Sequence, residues 1–407
     1  MVYPFCLECR GVRDMCHQGR CELLDTVRER IPRTRPLGRL IEGPSPPDVF
    51  VGQYGYPRVG VGPLVPPTEA VSEAPVLGTV DDLVAAPIED VVAYRSLLFH
   101  TRQSSPVRVR RTPPRILDLA REVALSTRPV DTEVELTKAP PATLAARLDP
   151  FAAPMGPGVA AERGRVVGRP IVPRKVDALV GDTDATATVA ANELYGSGVG
   201  EDHILRLFSL GLLGKATTRR LVPTRWSITA VDDILSKRLA EDVRGMQELG
   251  EPRVHSSELK GNHFHVILLP RRWEFEMLEA WLRGSLWAAG DMMVGDREGY
   301  GGRSDYARNV TGAYYSARLA VLEHLSAIHR QASVVVYREV TEEYWAPLGV
   351  WVIREGVRKA MRSPASTVDS IDAAVETVTS RVRLKEWHKK AQHIKEAKAQ
   401  RRLEDFA

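Results

Sequence analysis

Cys6, Cys9, Cys16 and Cys21 are the only cysteines of the 407-residue chain, and their spacing is the pattern of a metal site. A Cys-x-x-Cys pair lets two thiolates reach one ion from a tight turn, and a second pair completes a tetrahedron. Four soft thiolates select zinc, and so short a segment closes around it without leaving a coordination position open for catalysis. A structural Zn2+ is therefore the expected cofactor. Two disulfides, an iron–sulfur cluster and reduced core thiols are the alternatives. Most cells disfavour the disulfides. The polar neighbours Glu8, Arg10, Arg13, Asp14, Gln18 and Arg20 argue against a core.

A second set could break bonds. His263 and His265 stand two apart in His263-Phe-His-Val-Ile-Leu-Leu-Pro270, which reads as a strand, so both imidazoles face one side. With Asp233 they would make a metal-assisted nuclease centre. The other reading is a His-x-His pair without metal. No phosphate loop is present: in Gly211-Leu-Leu-Gly-Lys-Ala-Thr217 an alanine follows the lysine and Ser209 stands where the first glycine belongs.

Other residues suit nucleic acid. Arg108, Arg110 and Arg111 lie in a proline- and arginine-rich stretch that could track a phosphate backbone, with a solvated loop as the alternative. Tyr54, Tyr56 and Arg58 could stack on bases or meet phosphate, or could simply decorate a glycine-kinked hairpin. Arg225 and Trp226 precede a predicted helix, as an anion contact or as a packed helix entry. Lys389 and Lys390 belong to a tail dense in charge from Arg381 to Arg402, offset only by Glu386 and Glu396.

The elements that position these residues are mixed. Residues 23–30 read as a short helix and 44–63 as paired strands joined by glycine turns. Residues 101–174 read as surface loops around one helix (116–126) and one strand (133–137). Farther on, Thr229 to Asp232 reads as a capping box opening an amphipathic helix. Residues 273–287, 313–330 and 355–361 read as helices, and 333–338 and 348–353 as strands. The fold class is α+β, or mixed α/β. Four regions follow: a knuckle and short helix at 1–30, a Gly/Pro/Arg-rich β-containing region at 31–175, a mixed body at 176–375 and a basic tail at 376–407.

A formal net charge of +4 with 27% charged residues excludes a histone-like polycation and a wholly disordered chain. No apolar run approaches the roughly 20 residues of a membrane span, and the start lacks a secretory pattern, so a soluble intracellular protein without membrane partners is expected.

In Gln400-Arg-Arg-Leu-Glu-Asp-Phe-Ala407, Leu403 and Phe406 fall on one side of a single 3₁₀ or α turn, with Gln400 placed to hydrogen-bond beside them. Such a plug fills a small apolar pocket on a partner. Docking back on its own domain is the alternative. The ending resembles the PIP box, by which replication and repair proteins bind the sliding clamp (PCNA), with Ala407 in place of the second aromatic residue. The four-cysteine N-terminus together with this ending resembles the Nre family of archaeal DNA repair proteins. So do Ser45-Pro-Pro-Asp-Val-Phe-Val-Gly-Gln-Tyr-Gly-Tyr-Pro57, Pro223-Thr-Arg-Trp-Ser-Ile-Thr-Ala-Val-Asp-Asp233 and Tyr314-Tyr-Ser-Ala-Arg-Leu-Ala-Val-Leu-Glu323. The resemblance implies a cytoplasmic role in DNA-damage repair through the clamp and assigns no reaction, so it carries over no catalytic residue.

Overall fold

Runs of branched and aromatic residues in the second half of the chain pair into one sheet, and glycine-rich hairpins in the first half into another. The computed structural model describes residues 3, 6–9, 14–19, 21–29, 38–66, 77–108, 113–140 and 152–399. These fall into two units. One comprises Met1–Leu23, Ser236–Ala346 and Val350–Ala407, the other Leu24–Leu235 and Pro347–Gly349. The 31–175 region thus shares a unit with residues 176–235. The class is α+β, with a mixed sheet in each unit.

In the Leu24–Leu235 unit the strands are β1 (Leu40–Ser45), β2 (Val49–Val51), β3 (Arg58–Val65), β4 (Phe99–Pro106), β5 (Val130–Leu136) and β6 (Gly158–Val166). Their order is β1-β5-β6-β4-β3-β2. Among the described strands of this sheet, only β4 and β6 run parallel. Helix Arg115–Leu125 lays Ile116, Leu119 and Val123 over Ile41, Val65, Phe99 and Val134 to form the core. Val61 pairs with Gln103 across β3 and β4. A Cβ at the neighbouring Gly62 would sit 1.5 Å from the Thr101 carbonyl oxygen, so only glycine fits there. Within 101–174 the expected helix and strand are present as helix Arg115–Leu125 and β5, while β4 and β6 stand where loops were expected. The prolines of this stretch sit at strand and helix ends (Pro106, Pro114), where their missing N–H breaks no ladder.

The other unit contains β7 (Arg253–Leu259), β8 (Asn262–Leu269), β9 (Glu274–Trp281), β10 (Met292–Glu298), β11 (Ser333–Val340) and β12 (Ser366–Thr367), ordered β10-β9-β11-β8-β7-β12. Helices cover both faces. On one, helices Ile371–Arg381 and Gln392–Ala399 and the buried Trp387 pack on Ile267, Leu269, Leu278, Val335 and Tyr337. On the other, helix Trp351–Arg362 packs against β7, β8 and helix Gly312–Ala327. Its Gly356 meets β8 so closely that a Cβ would lie 2.1 Å from the Phe264 ring.

The strand and helix expected at 263–270 and 313–330 correspond to β8 and to helix Gly312–Ala327. Three expectations fail. Residues 273–287 contain strand β9 rather than a helix, because β9 is buried on both faces and so lacks a period of two. Residues 348–353 are a turn leading into helix Trp351–Arg362, with Gly349 at φ +94 supplying the turn. The helix expected to open at Thr229 begins at Thr224 instead: Ser227 N–H already donates to the Pro223 carbonyl at 3.0 Å. Among the described residues no helix is long and apolar enough to cross a membrane.

Candidate functional site

The cysteine segment is a turn between two thiol pairs. Cys6 and Cys9 share the helical turn Cys6–Cys9, where Tyr3 N–H donates to Cys6 Sγ at 3.1 Å. Asp14 at φ +46 and His17 at φ +55 reverse the chain beyond it. The Asp14 carboxylate accepts N–H groups from Gln18 and Gly19 at 3.1 and 3.2 Å and lies 3.9 Å from Cys16 Sγ. Cys9 is buried and Cys6, Cys16 and Cys21 half-buried; none is disulfide-bonded. Among the described residues no three Cys, His, Asp or Glu side chains converge as a bound ion requires. The four thiolates are the donor set that zinc takes in closed structural sites.

His263 and His265 do share one face of β8, the face covered by the C-terminal helices, and not an open cleft. His265 is buried; its Nδ1 lies 2.9 Å from Ser256 Oγ, which accepts from Arg381 at 3.1 Å. Burial pushes His265 down to about 4, helped by the charges of His263 and Arg381. A neutral buried imidazole held by a serine reads as packing. Asp233 is half-buried on helix Thr224–Arg244 and belongs to the other unit. Glu258 and Glu339 pair with His263 across β7 and β11, but among the described residues no three such side chains converge as a bound ion requires. A second pair, His255 and His324, stacks edge-on at 5.2 Å. Burial lowers both, His324 to about 4.

The C-terminal segment carries less free charge than its sequence implies. Lys389 pairs with Glu386, Lys398 with Asp372 and Arg297 with Glu396, while Lys390 Nζ donates to the Met293 carbonyl at 3.0 Å. Two buried carboxylates hold the backbone of this segment. Glu339 accepts N–H groups of Arg383 and Leu384 at 3.0 and 3.1 Å, and Glu276 accepts those of Gln392 and His393 at 2.9 and 2.8 Å. The latter pair opens helix Gln392–Ala399, where an anion is favoured. Buried carboxylates inside apolar strands were missed from sequence; the only signal is a glutamate interrupting a strand-like run. Gln400, Leu403 and Phe406 lie outside the described residues, as do Arg110 and Arg111.

Arg108 is exposed just past β4. It lies beside the turn of the β2–β3 hairpin, since Val107 N–H donates to the Pro57 carbonyl at 2.9 Å. Tyr54 and Tyr56 are exposed on that turn, and Trp226 is exposed with its ring 5.4 Å from that of Tyr56. The two segments singled out in the sequence as possible base or anion contacts thus meet within one unit. Thr224 Oγ1 fixes the junction by accepting the Val51 N–H at 2.9 Å.

Comparison with known proteins agrees with this chain-long pattern. A family described as Archaeal Nre, N-terminal, matches residues 15–288, and Archaeal Nre, C-terminal, matches residues 298–406. The chain is 36% identical over 388 residues to the DNA repair protein NreA of Archaeoglobus fulgidus, covering 95% of this chain and 96% of that one. It is 38% identical over 369 residues to the DNA repair protein NreA of Haloferax volcanii (89% and 87%), and 35% identical over 406 residues to the DNA repair protein NreB of Archaeoglobus fulgidus (98% and 99%). No solved structure matches it. On two matches that together span nearly its whole length, the chain belongs to the Nre family.

Proposed function

We propose that this chain is a cytoplasmic DNA repair protein recruited to DNA through the sliding clamp, with the C-terminal Gln400, Leu403 and Phe406 as the clamp peptide. The observation that carries the repair role is the 36% identity over 95% of the chain to a DNA repair protein. Support for recruitment comes from the order of the C-terminal residues. A helix pinned to the sheet by Glu276 ends at Ala399, and the sequence continues directly into Gln-x-x-Leu-x-x-Phe. One fixed end and an aliphatic–aromatic pair suit a helix-in-groove contact with few anchors.

Zn2+ is proposed to order the N-terminus through Cys6, Cys9, Cys16 and Cys21. DNA is the second proposed partner, through Arg108 and the neighbouring basic side chains. No arrangement of His263, His265 and Asp233 favours the nuclease alternative.

The test is calorimetric titration of purified clamp with the full chain and with Leu403→Ala/Phe406→Ala. Loss of both apolar anchors is expected to weaken binding by roughly a hundredfold, as for truncated hot-spot residues. Equal affinity of the double variant overturns clamp recruitment through this peptide.

A further inference from the structure

Three aromatic side chains near one hairpin turn are exposed where burial would be expected: Tyr54 is 68% accessible, Tyr56 45% and Trp226 47%. The turn that carries the tyrosines is held tightly. Arg58 N–H donates to the Gly55 carbonyl at 2.8 Å, and Gly55, at φ +83, has no room for a Cβ, which would lie 2.8 Å from the Arg58 oxygen. Trp226 sits in the first turn of helix Thr224–Arg244, anchored through Thr224 to β2. The Tyr56 and Trp226 rings are therefore presented in place, with little ordering entropy left to lose on binding.

The chain segments that carry these rings are basic. Segments 49–63, 99–108 and 214–231 contain no aspartate or glutamate. Exposed Arg58, Arg108 and Arg220 make no ion pair or side-chain hydrogen bond among the described residues. Backbone hydrogen bonds bring these arginines together: Val107 N–H donates to the Pro57 carbonyl at 2.9 Å, and Leu221 N–H to the Val107 carbonyl at 2.8 Å. An apolar patch alone would suit a protein partner. Exposed rings carried with unpaired guanidinium groups on segments that contain no carboxylate suit a polyanion whose bases are free to stack. Paired bases inside a duplex have no open faces, so such rings favour a single strand.

We propose that Tyr56 and Trp226, with Tyr54 on the same turn, form a stacking platform for the bases of single-stranded DNA, and that Arg58, Arg108 and Arg220 meet its phosphates. This rests on the DNA-repair reading above and names the DNA form that this face of the protein takes. The experiment is fluorescence anisotropy with the full chain and fluorescein-labelled (dT)15, a duplex of the same length and U15 RNA, between 50 and 200 mM salt. Tyr56→Ala/Trp226→Ala should weaken (dT)15 binding about tenfold or more, with an unchanged melting temperature, because base–aromatic stacking is lost. Tyr56→Phe/Trp226→Phe should keep most of the affinity. Arg58→Ala/Arg108→Ala should flatten the slope of log affinity against log salt by about 0.7 for each arginine.

Equal (dT)15 affinity in the alanine variant overturns the platform, as does a wild-type preference for the duplex or for U15 RNA. Clamp titration on the same preparations separates the two ideas. Intact clamp binding with no effect of the alanine pair removes the platform alone, and lost clamp binding with an intact platform removes only recruitment.

Discussion

Glu276 on β9 accepts the backbone N–H of His393 at 2.8 Å, joining residues 117 positions apart. Its other oxygen accepts from Gln392 at 2.9 Å, so one buried carboxylate closes the N-terminus of helix Gln392–Ala399. Glu276→Ala would leave one buried and one partly buried N–H donor unsatisfied and should destabilise the protein by about 2–3 kcal/mol in urea titration. Glu276→Gln keeps one acceptor and should cost less. Hydrogen exchange at the Gln392 and His393 amides should accelerate before exchange elsewhere in the sheet; unchanged exchange would remove Glu276 as the anchor.

Gly356→Ala should be destabilising although alanine favours helices by about 1 kcal/mol. The new methyl would meet the Phe264 ring at 2.1 Å, and Phe264 is fully buried. Overpacking of this kind costs about 1–3 kcal/mol. In a double-mutant cycle, Phe264→Leu should offset part of the loss, and strict additivity would refute the contact.

Acid should weaken the fold through its neutral histidines. His265 titrates near 4 when folded, against 6.5 ordinarily, so between these values the unfolded chain binds a proton that the folded chain excludes. Stability from this group is complete above pH 6.5 and falls by about 1.4 kcal/mol per pH unit down to 4. His324 adds in the same direction. His265→Gln should flatten the fall between pH 6.5 and 4.5 in urea midpoints, and a profile identical to wild type would count against a neutral buried His265.

The proposed zinc site has a direct assay. Elemental analysis of pure protein should give about one zinc per chain, and Cys9→Ser should lower that occupancy, since a closed tetrahedral site needs all four donors. Protein purified without chelator that contains no zinc would refute the assignment.

Secondary structure was legible where one physical signal dominated. The apolar run of β8 and the long buried helix Gly312–Ala327 stand out in sequence because their lengths separate strand from helix. β9 was misread because Glu276 and Glu279 interrupt it: polar residues suggest solvent, yet one caps a helix and the other pairs with Arg338 in the core. The starting point of helix Thr224–Arg244 was hidden by a competing cap at Thr229. The aromatic cluster was half legible. Both segments carry chemistry on their own, but their meeting depends on the hydrogen bond between Val51 and Thr224, residues separated by 173 positions, and no local pattern encodes that.

The docked helix also sets an upper bound on reach. From Ala399 to Phe406 the chain advances seven residues, which can extend at most about 25 Å. If the proposed peptide holds a partner, the length of chain alone keeps that partner within a few nanometres of the sheet to which Glu276 belongs.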